Sequence, residues 1–191
     1  MATKLKLKDV RLSFPDLYVA TEFKKGDGKW RYNASFLFEP GSSTDKEVKA
    51  AMLAEAIEAY GAKGAEKLAT FQKGGNTAYS DGNDKEYDGY KGMMVLAAHR
   101  PKKDGPPGVF GNTIDPQTGK VVKLTEESGV VYAGCYVNGT VTFYTSKEFP
   151  GLWCGFSGVQ FARPGDAFGG SVAASADDFD AQEGADAGDF A

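Results

Sequence analysis

The sequence contains few of the residues from which catalytic and metal sites are built. It has one histidine, His99, and two cysteines, Cys135 and Cys154, with no CxxC spacing. A single chain therefore cannot assemble a cluster of histidine ligands, and we expect both thiols to be reduced core residues. The usual phosphate-binding loops, G-x-x-x-x-G-K-[ST] and G-x-G-x-x-G, do not occur. These absences argue against an enzyme and predict neither a metal nor a cofactor.

Long apolar runs are also missing. No stretch reaches the roughly 18 apolar residues of a membrane-spanning helix. The first ten residues, MATKLKLKDV, alternate charged and apolar side chains and do not resemble a secretory signal. We therefore expect a soluble, cytoplasmic protein with no membrane partner. The aromatic content of 13% and the 25 glycines favour short strands and turns, so the expected fold class is mainly β with one or two helices.

Basic residues are absent from the last 26 residues, 166–191, which carry seven acids. The remaining body, residues 1–165, holds 19 acids and 22 bases. This division predicts one folded domain, 1–165, and a disordered acidic tail, 166–191. Such a tail competes with nucleic acid for a basic surface and offers an aromatic ring to protein partners, while a solubilising role stays open. The tail residues expected to act are Asp177, Asp178, Asp180, Asp186, Asp189 and Phe190.

The body begins with two segments of strand-like alternation. In residues 4–14, Lys4, Lys6 and Lys8 share one face, and a change of phase near Asp9 predicts a bulge. Residues 30–38 place large aromatic residues on one face and mostly polar residues on the other. The sequence therefore predicts two strands, the first of them with a basic outer face.

Residues 45–60 carry the strongest helical pattern. Thr44 and Glu47 predict a capping box at the start, and Gly61 predicts the end. An apolar stripe is expected to face the core, formed by Met52, Leu53, Ala56, Ile57 and Tyr60. A second, short helix is predicted over residues 65–71.

The rest of the body alternates predicted loops with strands. Residues 73–92 predict a long polar loop, which is expected to keep Tyr87 and Tyr90 exposed. Residues 100–108 predict a rigid basic loop framed by prolines. Asn138-Gly139 predicts a hairpin turn between two strands, and residues 152–161 predict the last strand.

Basic and aromatic residues are interleaved along the body, as single-stranded DNA binding requires. Cations neutralise phosphates, and aromatic rings stack on bases of any sequence at about 1 to 3 kcal/mol per base. The aromatic candidates are Trp30, Tyr32, Tyr87, Tyr90 and Tyr136. The basic candidates are Lys4, Lys6, Lys8, Arg11, Arg31, Lys91, Arg100, Lys102 and Lys103. Duplex recognition is less favoured, because the predicted helix is not basic.

Structural roles remain open for several of these residues. Trp30 and Tyr32 are in phase with Phe36 and Phe38, so they can belong to the core. The role of Tyr136 can be purely structural, as packing against side chains of a neighbouring strand. The lysines of residues 4–8 can protect an edge strand from aggregation.

Several segments resemble the single-stranded DNA-binding proteins of tailed bacteriophages, a family with an OB-fold. The resemblance rests on VRLSFPDLY, YNASFLF, MMVLAAHRP with its basic loop, GCYVNGTVTFY and GLWCGFSGVQFAR, and it extends over nearly the whole body. It implies a five-stranded Greek-key barrel with extra hairpins and a helix, and DNA crossing the barrel face and its loops.

The tail is similar in kind to the acidic, aromatic-ended tails of bacterial and phage single-strand binders. That similarity implies recruitment of phage or host replication and recombination proteins. Phe190 is penultimate here and is followed by Ala191, so its ring cannot share a pocket with the terminal carboxylate.

We therefore expect a non-enzymatic protein that coats single-stranded DNA, with little sequence preference, during phage DNA replication, recombination and repair. Its expected location is the cytoplasm of the infected bacterial host. The alternative is a phage virion structural or assembly protein with a β-sandwich fold. The sequence leaves the choice between monomer and dimer open.

Overall fold

The computed structural model describes residues 3–22 and 24–169 of the protein. These residues form eight strands and two α-helices. The strands are β1 (Thr3–Glu22), β2 (Trp30–Phe38), β3 (Tyr79–Asp81), β4 (Met94–Pro101), β5 (Gly108–Ile114), β6 (Val121–Lys123), β7 (Tyr136–Ser146) and β8 (Gly151–Arg163), and the helices are α1 (Ser43–Tyr60) and α2 (Gly64–Lys73). The tail residues named above, from Asp177 to Phe190, lie outside the described residues.

Five of the strands close into a barrel. Their order is β4-β2-β1-β7-β8, and β8 returns to β4 through a parallel pairing of His99 with Gly155. The other three strands extend this sheet: β3 pairs with β4, and the β5–β6 hairpin is added beside β8. The five-stranded, OB-like barrel expected from the sequence is thus confirmed.

Strand β1 pairs with β7 on one side and with β2 on the other, and it is bent at two places. Asp9 and Phe14 have positive φ angles, 50° and 46°, at two breaks in the pairing register. Thr3–Leu7 pairs with β7, as do Val10 and Arg11 after the bulge, and the part from Arg11 to Glu22 pairs with β2. The bulge predicted near Asp9 is confirmed. The Asp9 backbone N–H donates to Asn138 Oδ1 at 3.0 Å, which satisfies a donor that the bulge removes from the ladder.

The barrel interior is filled by one residue in two from each strand. Leu12, Phe36, Val137, Phe143 and Cys154 are all fully buried. Cys135 is buried as well, and both thiols are free, as predicted. Because the strands alternate, the residues between these core positions point outward and are available for a binding surface.

Helix α1 begins two residues earlier than its sequence pattern predicts. The N-cap is Ser42, whose Oγ accepts from the Asp45 N–H at 3.2 Å, so the predicted Thr44–Glu47 box is wrong. Gly61 ends the helix at a φ of 58°, as predicted. Met52 and Ala56 are buried, but Leu53 and Ile57 are 38% and 49% exposed. The apolar stripe that contacts the barrel is therefore narrower than expected.

The Asn138-Gly139 pair does not form a turn, which corrects the hairpin prediction. Both residues lie inside β7, and the turn to β8 is formed by residues 147–150. A Cβ on Gly139 would lie 3.1 Å from the ring of Phe36. Glycine is present because the buried ring approaches the β7 backbone closely, and not because the chain reverses there.

Candidate nucleic-acid interface

A row of outward-facing residues crosses all five barrel strands. Lys4 pairs with Thr142, Thr142 with Gly155, Gly155 with His99, and His99 with Asn33. None of these five residues is buried, whereas most of their strand neighbours belong to the core. The row runs over the place where β4 and β8 close the barrel.

A cleft of about 350 Å³ opens along this row. Thr142, Tyr144, Gly155 and His99 line its strands, and Arg100, Pro101 and Asp104 line its rim. Since Gly155 carries no side chain, nothing projects into the cleft from this position of β8. An extended, flexible ligand can therefore lie across it.

His99 and Tyr144 form a hydrogen-bonded pair in the cleft, with Nε2 and Oη 2.7 Å apart. Burial lowers the pKa of His99, and the nearby Arg31 guanidinium lowers it further. Burial also raises the pKa of Tyr144 to about 12. At neutral pH the pair is therefore uncharged, and the positive charge near it comes from arginine and lysine side chains, among them Arg31 and the cleft-lining Arg100.

Two loops bring aromatic and basic side chains to one end of the cleft. In the β1–β2 loop, Lys29 Nζ lies 4.6 Å from the centre of the Phe149 ring and 3.7 Å from Glu148, both in the β7–β8 loop. Trp30 is 46% exposed, and Lys102 Nζ lies 5.3 Å from the centre of its ring. Exposed rings and ammonium groups thus meet at this end, as a stacking site for bases requires.

The basic loop after β4 carries two exposed lysines and one arginine that is hydrogen-bonded within the loop. Lys102 and Lys103 are exposed. Arg100, in contrast, donates to the carbonyl oxygens of Asp104 and Gly105, so its guanidinium holds the loop in shape. The prediction that Arg100 contacts phosphate loses support, because two of its donors already have backbone partners.

The tyrosines of the long loop behave differently from each other. Tyr87 is 53% exposed and lies 4.9 Å from the ring of Phe14, which is 51% exposed. Tyr90 is 1% exposed, because it packs on the outward-facing Leu37 and Val95. The expectation that both tyrosines remain exposed is wrong for Tyr90. Tyr32 is also buried, at 7% exposure, and belongs to the core. Neither Tyr32 nor Tyr90 can stack on a base without unpacking the protein.

Arg11 and Tyr136 hold the segment that follows the last strand. Arg11 donates to the carbonyl oxygens of Gly134 and Asp166, and its guanidinium lies 4.3 Å from the centre of the Phe168 ring. The guanidinium of Arg163 lies 3.4 Å from the centre of the Tyr136 ring. Arg11 and Tyr136, which were both predicted to contact DNA, therefore already contact other residues of the protein. We call residues 164–169 the strap.

The remaining predicted bases, Lys4, Lys6, Lys8 and Lys91, are exposed. Sequence reasoning missed four side chains of the interface, namely Lys29, Tyr144, Phe149 and Trp153. Phe149 and Trp153 are joined by a 2.9 Å hydrogen bond from the indole N–H to the Phe149 carbonyl. Their position in the fold could have identified the loop residues. The β1–β2 and β7–β8 loops correspond to the first and last loops of an OB barrel, which contact oligonucleotides.

The described residues hold no cluster of metal-ligating side chains. Among the helices of residues 3–22 and 24–169, none has the length and apolar character needed to cross a membrane.

Two solved structures share this architecture. The single-stranded DNA-binding protein from bacteriophage Enc34, in complex with ssDNA, superposes with a TM-score of 0.66 at 19% identity, covering 87% of this chain and 90% of that one. gp2.5, a single-stranded DNA-binding protein encoded by bacteriophage T7, gives a TM-score of 0.50 at 10% identity, covering 97% and 98%. At these identities the likeness shows the fold alone.

Sequence comparison identifies relatives over nearly the full length. Putative protein p50 of Acyrthosiphon pisum secondary endosymbiont phage 1 is 38% identical over 182 residues, which is 93% of this chain and 92% of the relative. The family model described as Enterobacter phage Enc34, ssDNA-binding protein, matches residues 3–191. The chain therefore belongs to the Enc34 family of phage single-stranded DNA-binding proteins.

Proposed function

We propose that this protein binds single-stranded DNA during phage DNA replication and catalyses no reaction. The observation that carries the proposal is the cleft over the β4–β8 closure, with exposed rings and lysines grouped at one end. Its family is defined by binding and not by a reaction. We place its action in the cytoplasm of the infected host, where a replicating genome exposes single strands.

The interface suits DNA of any sequence. Stacking on Trp30 or Phe149 depends on the face of a base and not on its hydrogen-bonding edge. Lys29 and Lys102 lie against these rings and can neutralise the phosphates that follow a stacked base. The protein can therefore coat a strand as its sequence changes, and we extend the proposal to recombination and repair, which expose the same kind of strand.

The acidic tail is proposed to compete with DNA for this basic surface. Residues 1–165 carry three more bases than acids, and the tail carries seven acids and no bases. The strap fixes the start of the tail on the body, since the Gly169 N–H donates to Asp88 at 3.0 Å and the Phe168 N–H to the Ala133 carbonyl at 2.9 Å. Phe190 and its acidic neighbours are proposed to recruit replication proteins when DNA displaces the tail.

Fluorescence anisotropy with labelled oligo-dT tests the central proposal. We expect saturable binding that weakens steeply as salt rises, together with little difference between oligo-dT and mixed sequences. A virion structural protein would give no salt-sensitive binding, and that result would overturn the proposal.

A further inference from the structure

A second groove lies on the neighbouring outer face of the barrel, between the first half of β1 and the β5–β6 hairpin. Its volume is about 550 Å³, and its floor is formed by β7 and β8. We call it the trough. Ser157 lines both the cleft and the trough, so the two are continuous.

One wall of the trough is a ladder of lysines. Lys6 and Lys8 line it, and Lys4 stands in line with them beside Thr142 of the cleft. Lys4 and Lys6 are two residues apart on one strand face, which places them about 7 Å apart along the strand. This spacing is similar to that of successive phosphates in an extended single strand.

The trough contains no opposing charge. None of the residues that line it in the described part of the chain carries a carboxylate. Asp9, which follows Lys8, lies outside the lining, and its two oxygens accept from Arg163 at 2.8 and 3.0 Å. The positive charge of Lys6 and Lys8 therefore faces solvent and any anion in the trough.

The opposite wall and the floor suit the other parts of a nucleotide. Phe110 and Val121 of the hairpin form an apolar wall. The floor is kept flat by Gly158, where a Cβ would lie 2.8 Å from the Gly108 carbonyl oxygen. Asn138 and Gln160 are hydrogen-bonded to each other at 3.2 Å, and Gln160 also donates to the Gly111 carbonyl. The floor is thus ordered before any ligand arrives.

We infer that the trough is a second binding site for the same DNA strand. A single strand leaving the cleft at Ser157 continues along the trough, with its phosphates toward Lys6 and Lys8 and its bases toward Phe110. The inference rests on the proposed function, and it assigns different contacts to the cleft and to the trough. The cleft end stacks bases, while the trough holds mainly the backbone and lengthens the site.

Oligonucleotides of two lengths test the inference in the full-length protein. A short oligo-dT fills the cleft alone, and a long one reaches the trough as well. In the double variant Lys6→Ala, Lys8→Ala, we expect affinity for the long oligonucleotide to fall about 10- to 30-fold at 0.1 M salt and the slope of log K against log salt to flatten by about 1.4, since two phosphate contacts are lost. Affinity for the short oligonucleotide should not change.

Lys46→Ala, Lys67→Ala is the matched control, because both lysines are exposed on the helices, away from the trough. Restoring charge with Lys6→Arg, Lys8→Arg should restore long-oligonucleotide binding. Equal losses for both lengths, or no loss for either, would overturn the inference. Aggregation without a length-dependent loss would overturn it too, and would assign the lysines to protection of the part of β1 that pairs only with β7. If the wild-type protein binds neither length, the proposed function itself has failed.

Discussion

At the scale of single residues, several aromatic side chains in and around the candidate interface have an exposure that departs from what their type suggests. Trp30 and Phe149 are large and apolar, yet 46% and 53% exposed. Tyr90 has a polar group, yet it is fully buried. Exposed rings beside lysines indicate function, because burial would otherwise stabilise them by about 1.5 to 3 kcal/mol each.

Replacing Trp30 with alanine should weaken binding to oligo-dT about 5- to 150-fold, which corresponds to the loss of about 1 to 3 kcal/mol of stacking on one base. Trp30→Phe should retain most of the affinity. Leu53→Ala is the control, since Leu53 is a partly exposed apolar residue of α1. Anisotropy titrations give the affinities, and an unchanged affinity in Trp30→Ala would move the stacking site to Phe14 and Tyr87.

His99 should make the fold less stable in mild acid. Its pKa is lowered in the folded protein, so the unfolded chain binds the proton more tightly. Stability is therefore complete above the ordinary histidine pKa of about 6.5 and declines as the pH falls below it. Arg31 and Tyr144, which face His99, keep their charge states throughout this range. Urea unfolding between pH 5 and 7.5 should show a smaller decline in His99→Gln than in the wild type. An equal decline of stability in the variant and the wild type would show that His99 is not the group responsible.

Gly139→Ala should destabilise the fold by about 1 to 3 kcal/mol, because its methyl group would press on the ring of the fully buried Phe36. Gly155→Ala is the matched control on the next strand, where the nearest atom to an added Cβ is 3.5 Å away, an ordinary contact. Thermal unfolding followed by circular dichroism compares the two. Equal effects would show that the close approach of Phe36 is not what requires glycine.

At the scale of elements, the outer strand β3 is tied to α1 by one buried carboxylate. Asp45 is fully buried and accepts from Tyr79 Oη at 2.6 Å, Lys49 Nζ at 2.8 Å and the Gly41 N–H at 2.8 Å. Burial alone would raise its pKa, but the hydrogen bonds from Lys49 and Tyr79 lower it overall. The start of α1 therefore depends on an ionised Asp45.

Tyr79→Phe should cost about 1.5 to 3 kcal/mol at pH 7, since it removes a hydrogen bond to a charged group. Because the folded pKa of Asp45 is lowered, its contribution is present above the unfolded value of about 3.9 and is lost as the pH falls through the lower folded value. Denaturant unfolding should therefore separate wild type and variant widely at pH 7 and less below pH 3. A separation that does not depend on pH would contradict the role of the carboxylate.

The sequence predicted those elements whose pattern is local. The alternation of β1 up to Phe14 and of β2, the bulge at Asp9 and the end of α1 at Gly61 depend on neighbouring residues, and all were predicted correctly. The continuation of β1 to Glu22, beyond the predicted segment 4–14, was not predicted. The burial of Tyr90 and the position of Gly139 inside a strand were not predicted, because each depends on residues distant in the sequence. Val95 and Leu37 cover the tyrosine, and the ring of Phe36 leaves no room for a side chain at Gly139. The cleft also required the pairing of His99 with Gly155, which are far apart in the chain. The family resemblance indicated a barrel but not which of its side chains face outward.

At the scale of the whole molecule, the charge is divided between a basic body and an acidic tail, and the strap joins them. Arg11, Tyr132 and Asp88 bind the strap, and Tyr132 Oη donates to the Gly165 carbonyl at 2.8 Å. Removal of the tail should therefore begin after Gly169, so that the body keeps its packing around Phe168.

Deleting residues 170–191 should tighten binding to oligo-dT at low salt and have little effect at high salt, where screening weakens the competition. Changing the acids of the tail to their amides, with its length kept, should reproduce the effect. Anisotropy titrations across a salt series measure both variants. Unchanged or weaker affinity of the truncated protein at low salt would overturn the proposed competition.

The closure of the barrel determines where the barrel opens locally. One residue pair, His99 with Gly155, joins β4 to β8, whereas β7 and β8 are paired at eleven positions. The seam between β4 and β8 is thus the place where the barrel opens at the lowest cost, and its amides should exchange with solvent before those of β7. If DNA lies in the cleft as proposed, it crosses this seam and contacts both of its edges. We therefore expect the amides along this seam to exchange more slowly in the DNA complex than in the free protein.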